Sequence, residues 1–154
     1  MSMLPKVEIF AGLSEEEQAA LENSCVTRNY PRNTVVINEN DFADSLYVIE
    51  SGRVKVYCSD KNGKEYIMNT LGPGDYFGEL ALLDDDRRSA SVRTLEKSTF
   101  TIMFKDEFHA IMERHPKIAQ TLIRNLTRRV RKLTENVKSL ALQDVYGRVT
   151  KVLM

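Results

Sequence analysis

The chain has 154 residues, 42% hydrophobic and 29% charged, with 22 Lys and Arg balanced by 22 Asp and Glu: enough for one well-cored domain and too little for two. No apolar run approaches the roughly 18 residues of a membrane-spanning helix and no signal peptide is recognised, so a cytoplasmic protein without a membrane partner is expected. Cys25 and Cys58, with His109 and His115 as the only histidines, are too few and too scattered for a zinc or iron–sulfur site, and no nucleophile is in view, so a metal-free, non-enzymatic protein is expected.

Along the chain, Ser14-Glu-Glu-Glu17 ahead of Ala19, Ala20 and Leu21 is a capping box, which predicts a short N-terminal helix. From Tyr30 to Met103 the hydrophobic period becomes two, as in Val35-Val-Ile37, Leu46-Tyr-Val-Ile49, Val54-Lys-Val-Tyr-Cys58, Tyr66-Ile-Met68 and Thr99-Phe-Thr-Ile-Met103. Turn chemistry at Asn38-Glu-Asn-Asp41, Ser51-Gly52, Asp60-Lys-Asn-Gly63 and Gly72-Pro-Gly-Asp75 divides these segments at the spacing of an antiparallel barrel or jelly roll with seven or eight strands. No strand–helix–strand alternation is present, which excludes a Rossmann sheet.

Within this region lies Phe77-Gly-Glu-Leu-Ala-Leu-Leu-Asp-Asp-Asp-Arg-Arg-Ser-Ala-Ser-Val92. A cyclic phosphodiester carries one charge and two free oxygens, which the planar guanidinium of Arg88 can meet together. Ser89 adds a hydroxyl donor. Gly78, without a Cβ, permits close approach, and backbone N–H groups after it can face an anion if Glu79-Leu-Ala-Leu82 opens a helical turn. Glu79 would repel a phosphate and suits a sugar hydroxyl instead. Taken singly, Arg88 and Glu79 fit a plain salt bridge equally well; taken together, the residues point to a nucleotide.

From Asp106 the period turns helical. Phe108, Ile111 and Met112 predict a short helix ending before Pro116, and a second helix follows over about 116–143. In it Ala119, Ile123, Leu126, Val130, Leu133, Val137 and Leu140 recur at steps of four and three, with Ile or Val at each a position and Leu at d after the first, the pattern of a parallel two-stranded coiled coil. Ile118 and Leu122 lie beside this seam and suit packing on the strands, and the two uses are compatible. Residues 105–154 carry 11 Lys and Arg against 5 Asp and Glu; with no aromatics interleaved, this reads as a solvated helix face before a nucleic-acid surface.

The segment 77–92 resembles the phosphate-binding cassette of cyclic-nucleotide-binding domains, found in catabolite-activator-type bacterial regulators (the Crp/Fnr superfamily) and in kinase regulatory subunits. The resemblance extends over essentially the whole chain. It implies a mainly β fold with flanking helices, in which an antiparallel β-roll (a jelly roll or double-stranded β-helix) over 27–104 is followed by a long C-terminal dimerisation helix. It implies that Glu79 holds the ribose 2′-hydroxyl and that Arg88 and Ser89 hold the phosphate, with Gly78, Leu80, Ala81 and Ala90 at matching positions. Val56, Leu71, Phe77 and Leu133 would wall the base. Thr134 would reach the purine across the dimer, and Arg129 would lie near Glu79; Thr134 read alone also suits a plain solvent-facing position. One departure is Asn40, where relatives have glycine; asparagine tolerates the left-handed conformation, so the turn is expected to survive. Leu140-Ala-Leu-Gln-Asp144 and Gly147-Arg148 are similar to the hinge before a DNA-binding domain. The expected organisation is therefore a sensor over 1–143, with 144–154 as hinge and the truncated start of a DNA-binding domain absent from this sequence. The expected ligand is cAMP, acting as effector; cGMP and cyclic di-GMP stay open, as does a module that dimerises without a ligand.

Overall fold

The computed structural model describes residues 7–78 and 87–153, with side chains through residue 146, Ile9 excepted. A single 3-10 turn (Glu8–Phe10) precedes α1 (Glu15–Asn23). The capping box forms as the sequence predicts: Ser14 Oγ accepts from the Glu17 N–H and Glu17 Oε1 accepts from the Ser14 N–H, each at 3.2 Å, which satisfies donors that a helix start leaves orphaned.

Among the described residues eight strands follow: β1 (Val26–Tyr30), β2 (Val35–Ile37), β3 (Ser45–Ser51), β4 (Val54–Ser59), β5 (Glu65–Leu71), β6 (Tyr76–Phe77), β7 (Ser91–Thr94) and β8 (Ser98–Phe104). They build two antiparallel four-stranded sheets, β1-β8-β3-β6 and β2-β7-β4-β5, which together make the expected β-roll. The register of β3 decides what lies inside it. Successive side chains of a strand point to opposite faces, so Leu46 and Val48 pack with Leu21, Phe108 and Ile118 under the helices. Tyr47 and Ile49 join Val54, Phe77, Val92 and Phe100 in a second cluster between the sheets. With both faces covered, β3 reads as a nearly continuous apolar run.

Among the turns with left-handed backbone, two bear on the site and the sheet edge. Asn40 has φ +72°, the left-handed conformation that asparagine tolerates and that the sequence led us to expect. Gly52 has φ +97°, and a Cβ there would collide with the backbone and side chain of Ser98, so this turn is built for glycine twice over.

After the roll come α2 (Lys105–Arg114) and α3 (Pro116–Leu153). Ile118 and Leu122, 0% and 2% exposed, anchor α3 on the core. One expectation is corrected. The helix expected over about 116–143 continues unbroken for 38 residues to Leu153, so the stretch that resembles a hinge is helical. Gly147 alone costs a helix only about 1 kcal/mol relative to alanine, and no proline follows to stop it. Among the described residues, no helix is long and apolar enough to cross a membrane.

Candidate functional site

Arg88 follows the isolated bridge Phe42↔Arg87 and stands shortly before β7, with Ser89 and Ala90 between. The Asn40 turn holds its backbone from both sides: the Arg88 N–H donates to the Asp41 carbonyl at 2.7 Å, and the Arg88 carbonyl accepts from the Asn40 N–H at 2.9 Å. The strained asparagine thus serves the arginine. Next door, the Arg87 guanidinium stacks 4.4 Å over the Phe42 ring and donates to the Asn40 carbonyl at 2.9 Å.

The Arg88 side chain runs into the roll and is 6% exposed. Ser45 shares the inward face of β3 with Tyr47. Its carbonyl and hydroxyl accept from Arg88 Nη2 at 2.9 and 3.2 Å, Asp44 Oδ1 lies 3.8 Å away, and the Tyr47 ring lies 6.0 Å beneath. Burial lowers the arginine's pKa from its ordinary value, opposed by Tyr47, Asp44 and Asp41; a guanidinium nonetheless stays charged. Burial likewise raises the pKa of the Tyr47 phenol.

One atom of this arrangement is unsatisfied. Arg88 Nη1 is buried with no hydrogen-bond partner among the described residues. It lies against the Cα of Gly78, which has φ +82°; a Cβ there would run into Nη1 and stand 2.8 Å from the Ser45 carbonyl. A buried donor on a full positive charge calls for an anionic acceptor, and the residues present fit one. Nη2, by contrast, is already engaged by Ser45.

The remaining candidates divide into groups. Val56, Leu71 and Phe77 are brought together on the inner cluster, where Phe77 stacks on Tyr47 with ring centroids 4.9 Å apart. Ser89 is exposed beside Arg88, its carbonyl 3.6 Å from the Cys58 thiol, and Ala90 is buried. Glu79, Leu80 and Ala81, with the expected helical turn after Gly78, lie outside the described residues. The helix residues Leu133 and Thr134 are exposed and belong to neither apolar cluster of this chain; the Thr134 hydroxyl donates back to the Val130 carbonyl at 2.9 Å. Arg129 is half-buried. Sequence reading misses Ser45, Tyr47 and Asp44, which stand more than 40 residues before Arg88; the inward parity of Ser45 and Tyr47 on β3 is the one signal that could have found them.

The profile of the cyclic nucleotide-binding domain matches residues 27–115, the roll and α2 together. The chain belongs to that family. Of the proteins similar to this cyclic nucleotide-binding domain, a CRP-like cAMP-activated global transcriptional regulator from Mycobacterium tuberculosis is 34% identical over 99% of this chain and 68% of its own length. Among solved structures, the N-terminal domain of a transcriptional regulator from Streptomyces coelicolor superposes with a TM-score of 0.82 at 28% identity, covering 88% of this chain and 95% of that one. The catabolite activator protein of Thermus thermophilus gives 0.72 at 31% identity, covering 87% and 63%.

Proposed function

We propose that this chain is the cAMP-sensing domain of a homodimeric, cytoplasmic transcription regulator, without enzymatic activity, in which nucleotide binding is coupled to the long helix. The observation that carries the reading is Arg88: a buried guanidinium inside the roll, its Nη1 against Gly78 and without a partner among the described residues, beside an apolar wall of Val56, Leu71 and Phe77. A phosphate fits the first and a base the second. Glu79 then takes the ribose hydroxyl and Ser89 the phosphate. The choice of cAMP rests on the names of the relatives, which include a cyclic AMP receptor protein 31% identical over 95% of this chain.

Dimerisation is assigned to α3. Ile123, Val130, Leu133, Val137 and Leu140 are each 56–66% exposed along one seam, an apolar stripe that pairs with its own copy in a parallel coiled coil. Leu126 is the exception, since it packs partly against the core. In the pair, Leu133 and Thr134 reach the nucleotide held by the roll, and Arg129 lies near Glu79. Contact with DNA is assigned to a part of such regulators other than the sensor domain.

Calorimetry with cAMP, cGMP and cyclic di-GMP tests the assignment. cAMP is expected to bind tightest, and Arg88→Ala to weaken it by at least about tenfold, since a hydrogen bond to a charged group contributes about 1.5–3 kcal/mol. Unchanged affinity in Arg88→Ala would sink the site. A chain that binds none of the three and still dimerises is the ligand-free module.

A further inference from the structure

Ser45 is 1% exposed and has its two oxygens spent in a particular way. Both accept from the same nitrogen of Arg88, Nη2, at 2.9 and 3.2 Å, and the hydroxyl passes its own proton to Asp44 Oδ1 at 3.0 Å. A terminal guanidinium nitrogen carries two hydrogens, so Nη2 has none left over. Nη1, by contrast, keeps both of its hydrogens without a partner among the described residues, and it is wedged against Gly78, where no Cβ stands in its way. The two ends of the same fork are therefore not equivalent: one is bound into the wall of the roll and the other has no acceptor among the described residues.

We propose that Ser45 is a positioning residue that fixes which nitrogen of Arg88 meets the ligand's phosphate, holding Nη2 so that Nη1 is presented. The inference rests on the nucleotide reading above and deepens it. If Nη1 alone makes the contact, the two exocyclic oxygens of a cyclic phosphodiester are distinguished, because only one of them accepts from the guanidinium. Replacing that oxygen by sulfur, a weaker acceptor, removes the contact, whereas replacing the other leaves it. Without the Ser45 hydroxyl, Nη2 keeps its bond to the Ser45 carbonyl but has one hydrogen released for the ligand, and the distinction fades.

The test is calorimetry on the full chain with cAMP and with its two phosphorothioate diastereomers, for wild type and Ser45→Ala. The substitution deletes one buried oxygen, and a thermal unfolding curve checks that the fold is kept. Wild type is expected to prefer one diastereomer by about tenfold, the size of one charge-assisted hydrogen bond, and Ser45→Ala to keep cAMP affinity within about threefold while preferring either diastereomer by less than about threefold. Ser45→Ala with wild-type affinity and preference overturns the proposal. So does a loss of affinity with the preference intact, which is what a merely structural serine would give. Wild type that binds no cyclic nucleotide overturns the nucleotide reading itself and this proposal with it, whereas wild type that binds cAMP alongside an indistinguishable Ser45→Ala overturns the positioning role alone.

Discussion

Cys25 sits at the end of α1, its thiol donating to the Leu21 carbonyl at 3.2 Å. Burial there pushes its pKa from the ordinary 9.0 up to about 11, because a thiolate in that place would lose its hydration. The folded state therefore holds this proton more tightly than the unfolded chain does. For such a group, the stabilising contribution is complete below pH 9 and is lost as pH rises from 9 towards 11. Denaturant unfolding at a series of pH values is expected to show stability falling over that window, and Cys25→Ala to flatten the fall. An identical slope in both would remove Cys25 as its cause. Legibility at this scale was uneven. Asn40 was legible, since its side chain is one of the few that accept φ +72°, and so was the pairing of Arg88 with Gly78, which stand in one short segment and touch in the structure. Asn33, also left-handed at φ +60°, carried no comparable signal. Ser45 was invisible because its partner is 43 residues away and only the pairing of sheets joins them.

Among the elements, α3 divides its length between two tasks. Its first turns are bound to the roll by Ile118 and Leu122, and Asn125, 6% exposed, reaches the Ala11 carbonyl at 3.0 Å. From residue 131 to 146 every side chain is exposed, and the heptad seam continues through that stretch. The sequence period shows both halves, because Ile118 and Leu122 stand off the seam by one position. It does not show that Leu126 leans towards the core, since that depends on how α3 crosses α2 and the turn at Glu8–Phe10. A charge in the exposed half tests the seam without touching the fold. In a coiled coil, Val137→Glu would bury an unpaired carboxylate from each chain, at about 3 kcal/mol or more. Sedimentation equilibrium is expected to show dimerisation weakened by at least about a hundredfold, with helix content and thermal midpoint of the roll near wild type. A Val137→Glu variant that dimerises normally would move the interface elsewhere.

For the molecule as a whole, what matters is the distance between the parts of the proposed site. The phosphate grip and the wall of Val56, Leu71 and Phe77 belong to the roll of one chain, while Leu133 and Thr134 stand on an exposed helix that this chain does not fold back onto its own roll. The order β1-β8-β3-β6, which places Ser45 and Tyr47 across from the cassette, could not be read from local pattern, because antiparallel strands specify their faces locally and their neighbours only through the core. If the helix of a second chain completes the site, nucleotide and dimer stabilise one another, and linkage requires that each strengthen the other by the same factor per site. Couplings of this kind are typically about 1–3 kcal/mol, or about 5–150-fold. The expected result is that saturating cAMP tightens the wild-type dimer by the square of the factor by which Val137→Glu weakens cAMP binding, because each dimer carries two sites; calorimetry reads the per-site factor and sedimentation the dimer's. A monomeric Val137→Glu that binds as tightly as the wild-type dimer would mean that the roll holds the nucleotide alone, and that α3 does not report on it.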